Sequence, residues 1–139
     1  MKKYSKEDVL HQFEVSCDIL YQSDETGDYK TGNREQQKLV KIFKYFEKNR
    51  AFAMECLKEL LYEENVVVSN RAAGWFLALN ENVDESVKVL LANSEKKEAG
   101  IFRLEAEMTL KVWKSQGYLR VYKDQEIRRY GPGDGSSLF

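Results

Sequence analysis

A leucine-rich stripe returns thirty residues along this chain: Leu57, Leu60 and Leu61 are answered by Val87, Leu90 and Leu91. Ala73 and Leu77 are likewise answered by Ala106 and Leu110, at an offset of 33. Self-similarity of roughly this period is the mark of stacked antiparallel helix hairpins. In each pair the first helix supplies the leucine stripe, and the second meets it through alanines that let the backbones approach. Neither hairpin can bury its apolar side alone, so neighbours must stack. The extra residues fall in the turn, where insertion costs little. The only proline is Pro132, so no pyrrolidine ring interrupts a helix before the last few residues.

The apolar spacing predicts an all-α chain of about six helices. Ser5 with Asp8 resembles a capping box, after which Val9, Phe13, Cys17 and Leu20 mark a helix over about 6–22. The segment 23–32, SDETGDYKTG, is rich in turn formers and acids and reads as a solvated loop. Asn33 then caps a second helix through Leu39, Val40, Ile42, Phe43 and Phe46 to Asn49. A third follows over Phe52–Tyr62, and a fourth, capped by Ser69 or Asn70, runs to Asn80. Asn82 is placed to cap a fifth, whose buried side is Val87, Leu90 and Leu91. The sixth spans about Glu98–Gln116 and ends at Gly117. Tyr118–Tyr122 reads as a short extended piece. Residues 1–122 are thus expected to form one helical domain, and the glycine- and serine-rich residues 123–139 a flexible, disordered tail.

The segment CLKELLYEENVVVSNRAAGWFLAL, with its step Arg71, Ala72, Ala73, resembles a HEAT repeat. The longer stretch from about Phe13 to Tyr122 is similar to a family of small bacterial HEAT-like proteins known as a domain of unknown function. The residues that carry the likeness are Asn70, Arg71 and Ala73, Val87 to Ala92, Ala99-Gly100, and Leu110, Trp113, Gly117 and Tyr118. The resemblance implies a HEAT-like α-α superhelix. It implies no reaction, cofactor or catalytic residue.

The 139 residues, 42% hydrophobic and 32% charged, suffice for one core without disulfide or metal. Cys17 and Cys56 lie on apolar helical positions and read as buried thiols. The single His11 has no histidine or cysteine one helical turn away to complete a metal set. No cysteine–histidine or serine–histidine pairing follows from the chain order, and the glycines after Gly131 lack the lysine of a phosphate loop. No cofactor is therefore expected. A net charge of −1 argues against a general nucleic-acid binder, which needs a basic excess to displace counterions. No stretch is apolar and long enough to span a membrane, and the charged start runs directly into an amphipathic segment, so the expected location is cytoplasmic.

The charge is nonetheless unevenly placed. Residues 1–32 carry four basic against seven acidic side chains, whereas Arg34, Lys38, Lys41, Lys44 and Lys48 follow at three- and four-residue steps along one side of a helix. Such a stripe is either a solvated side or a seat for an acidic protein. Trp75 is a core aromatic or an anchor on a curved stack. These six residues are the candidate site, and a non-enzymatic protein-binding module is the function expected. An immunity protein that neutralises a toxin is one special case of it. The alternative is a nucleic-acid-processing enzyme, since HEAT-like folds include DNA glycosylases.

Overall fold

The structure, a computed structural model, describes residues 3–126. Among them are six α-helices and no strand: α1 (Lys6–Thr26), α2 (Tyr29–Lys48), α3 (Arg50–Leu61), α4 (Val66–Leu79), α5 (Val83–Ser94) and α6 (Ile101–Gln116), with a 3₁₀ turn at Lys97–Ala99. They form two compact units, one reaching to Cys56 and the other beginning at Leu57.

In the first unit α1 packs against α2. Ser5 caps α1 as expected, its Oγ accepting from the Asp8 amide at 3.1 Å. The expected loop over 23–32 is instead almost wholly helical. The reason is that its polar residues bond back onto the helix. Ser23 Oγ donates to the Leu20 carbonyl and Thr26 Oγ1 to that of Gln22, each at 3.1 Å. Only Gly27, at φ 76°, and Asp28 leave the helix. Asp28 then caps α2, accepting from the Thr31 amide and, at 2.7 Å, from the Thr31 hydroxyl. Asn33 is therefore inside α2 rather than its cap. Gly32, inside α2, stands where the hairpin base is tight. A Cβ there would lie 2.8 Å from Ser23 Oγ.

The break after α2 is a single residue. Asn49 donates its amide to Phe46 O and its side chain to Tyr45 O, while its own carbonyl accepts from Ala53 and starts α3. Val9, Phe13, Cys17, Leu39, Ile42, Phe43 and Phe46 are all buried. Phe52 meets the edges of Tyr45 and Phe46, and Tyr45 that of Tyr4.

In the second unit α4, α5 and α6 pack together. The helix α4 begins earlier than the periodicity implies, because Asn65 and not Ser69 or Asn70 is its cap, accepting from the Val67 amide at 3.0 Å. Val66 and Val67 hide this start from a pattern reading, being β-branched and only half-buried. Asn80 ends α4 with φ 56°, and Asn82, at φ 49°, precedes α5 without any side-chain cap bond, contrary to expectation. The sixth helix starts at Ile101 rather than Glu98, since Gly100, at φ 59°, separates it from the 3₁₀ turn.

The offset of 33 equates positions on α4 and α6 without placing one helix against the other, and the structure lays them together. Asn70 bonds to Phe102 and Gly74 faces Thr109, so the two run side by side in the same direction. Ala73, Leu77, Ala106 and Leu110 are all buried. The leucine repeat holds less well, because Leu91 is 39% exposed and Val87 half-buried, leaving Leu90 alone as the counterpart of a core leucine.

Past Gly117, which takes the expected left-handed conformation, Tyr118–Tyr122 form no strand. The Val121 amide donates to Gln125 Oε1 at 2.6 Å, and Gln125 Nε2 reaches the Ala78 carbonyl at 3.4 Å. Gln125, within the expected tail, is thus buried against α4. The rest of that tail, from residue 127, lies outside the described residues.

Candidate functional site

The five cations of the stripe, Arg34, Lys38, Lys41, Lys44 and Lys48, are all exposed on α2. The opposite side of the helix explains why. Leu39, Ile42, Phe43 and Phe46 are buried there, so the positions between them must face water. One cation has a second task. Glu35 is 3% exposed, and Lys38 Nζ approaches its Oε2 to 2.9 Å, within ion-pairing distance though without an aligned hydrogen bond. A buried carboxylate left without a cation is costly, so Lys38 holds the fold as well as offering charge. The sequence carried a signal for this, since Glu35 stands four residues before Leu39 on the apolar side.

Trp75 belongs to the second unit and is 3% exposed. It is a core residue. The anchor reading is therefore corrected, because a tryptophan with no accessible ring cannot fill a partner's pocket. Trp113 is buried as well. Cys17 and Cys56 are buried and form no disulfide, and His11 is exposed. Among the described residues no group of three or more histidine, cysteine or acidic side chains is placed to hold a metal ion. Nor is any helix among them long and apolar enough to cross a membrane.

The acidic residues at the hairpin turn are engaged locally. The Thr31 side chain and amide hold the Asp28 carboxyl below the usual carboxylate range. A hydrogen bond to Glu25, with its negative charge, raises the Tyr21 hydroxyl. In the second unit the Tyr62 hydroxyl donates to Glu85 Oε2 at 2.8 Å, lowering the Glu85 carboxyl with help from Lys88, and is itself raised.

No family model, curated protein or solved structure matches this chain. Its surfaces must be read from their own chemistry.

Two features escaped the sequence reading. One is a buried polar network: Asn93 Nδ2 donates to Ser69 Oγ at 2.9 Å and to Asn70 Oδ1 at 2.8 Å, and Asn70 Nδ2 donates to the Phe102 carbonyl at 3.1 Å. It ties α4, α5 and the first turn of α6 together. The other is on α6, whose outward side is apolar. Ile101, Leu104, Met108 and Val112 are 70, 54, 57 and 38% exposed. At steps of three, four and four residues they form one stripe. The periodicity counted only the inner set, Phe102, Ala106, Leu110 and Trp113, and so passed over the second one.

Proposed function

We propose that this protein is a non-enzymatic binding module, built from HEAT-like hairpins, that takes an acidic protein partner on the outer side of α2. The observation that carries the reading is five exposed cations on one side of a twenty-residue helix whose other side is fixed by buried leucine, isoleucine and phenylalanine. A rigid helix presents its charges at set spacing, so little ordering is needed on binding. Exposed charges of this kind chiefly steer encounter and set its salt dependence. Toxin neutralisation is one form of such binding, and a toxin-like reading frame beside the gene would favour it.

The test is charge reversal at Lys41, Lys44 and Lys48, leaving Lys38 in place because of Glu35. Association with the partner captured from source cells is expected to slow by about 10-fold or more at low ionic strength and to lose its salt dependence. Unchanged association kinetics in a variant of full helix content would reject α2 as the binding surface.

A further inference from the structure

We propose that the outward stripe of α6 is a two-fold self-association surface, on which Met108 of one copy meets Met108 of a second copy running antiparallel. The proposal stands independently of the α2 reading, since it concerns another helix and another chemistry. The helix α6 is apolar on two sides, and its own unit covers one of them. A helix side that its own unit leaves uncovered is ordinarily polar. On α6 it carries Ile101, Leu104, Met108 and Val112 instead.

A second copy fits this stripe for three reasons. The first is symmetry. Leu104 and Val112 each stand four residues from Met108, so a two-fold axis there brings Leu104 of either copy level with Val112 of the other, with the helix dipoles opposed. The second is charge. The stripe itself is uncharged, Glu105 and Lys111 flank it on opposite sides by helical geometry, and Lys111 is paired within its helix to Glu107 at 3.3 Å. With a net charge of −1, two copies approach without appreciable repulsion. No strong charge on the stripe selects a charged partner. The third is area. The four side chains offer on the order of 400 Å² of apolar surface, comparable to the largest patches on monomers. Doubled, and with the stems of Glu105, Lys111 and Ser115 at the edge, it approaches the roughly 1,200 Å² at which specific interfaces begin. The dimer is accordingly weak and concentration-dependent.

Sedimentation of the full chain from micromolar to millimolar concentration should show the average mass rising from 16.3 kDa toward twice that. Leu104→Glu with Met108→Glu should weaken the association on the order of 100-fold or more while leaving the helix signal intact, both side chains being exposed. Geometry gives a sharper readout. Met108→Cys at the axis should oxidise readily to a covalent dimer, whereas two Ile101→Cys residues, seven positions away on each copy, would lie about 21 Å apart and should not. The native cysteines are buried and do not compete. A chain that stays monomeric at millimolar concentration overturns the proposal, as does equal cross-linking at both positions. So does dimerisation seen only after removal of residues 127–139, which would make that segment the occupant of the stripe.

Discussion

Replacing Asn93 by alanine tests whether the buried polar network holds the second unit together. Asn93 Nδ2 is the donor for two acceptors at once. Ser69 Oγ retains its own contact to the Val66 carbonyl at 3.4 Å, so the group orphaned by the change is Asn70 Oδ1. A buried acceptor left without a donor costs about 1–3 kcal/mol. The vacated volume adds about 1 kcal/mol where the core does not collapse. The expected loss is therefore about 2–4 kcal/mol for Asn93→Ala, falling to about 1–3 kcal/mol for Asn93→Leu, which refills the space but restores no donor. The double change at Asn70 and Asn93 should cost less than the sum of the singles by about 0.5–3 kcal/mol, since each removes part of the same interaction. Both tryptophans, Trp75 and Trp113, lie in the second unit, so denaturant unfolding followed by tryptophan fluorescence reads that unit while far-ultraviolet dichroism reads all the helices. An Asn93→Ala variant within about 0.5 kcal/mol of the wild type, the range of an ordinary surface change, would refute the role given to the network.

Trp75→Ala should lower stability by about 3–5 kcal/mol in the same fluorescence-free dichroism assay, as expected for a core aromatic, and a loss under about 1 kcal/mol would contradict its burial. Tyr62→Phe should let the Glu85 carboxyl rise toward its ordinary value in a carboxyl NMR titration. Because Glu85 is lowered by folding, its contribution is present above the ordinary carboxylate value and fades as pH falls through the lowered one. Tyr62 is raised, so its share persists below the ordinary tyrosine value and fades as pH climbs through the raised one. A Glu85 titration unmoved by Tyr62→Phe would dismiss the hydrogen bond.

What was legible in the sequence was whatever a single helix decides for itself. Val9, Phe13 and Cys17 mark the buried side of α1 by spacing alone, and the Ala73 to Ala106 offset marks matching buried positions on α4 and α6. The cysteines, too, are buried as their positions implied. What was illegible depended on partners. Leu91 has the spacing of a core residue yet is exposed, and Ile101, Leu104, Met108 and Val112 are as regularly spaced and exposed as well. Trp75 could be assigned to core or surface only once its neighbours were in place. The turn formers of 23–32 misled for a local reason, since serine and threonine can bond back to their own helix as readily as open a loop. Asn93 did leave a trace, standing three residues after Leu90 on the inner side of α5, where a polar side chain must find a partner or be costly.

The tight base of the first hairpin bears on how this sequence can drift. A Gly32→Ala change favours helix by up to about 1 kcal/mol but collides with Ser23 Oγ. Ser23 Cβ, by contrast, would stand 3.6 Å from the new methyl, an ordinary contact. Passage to alanine at position 32 is therefore easier after Ser23→Ala, whereas with Ser23 present the hydroxyl must turn away from its bond to the Leu20 carbonyl. The tolerance of position 32 thus depends on the residue at 23.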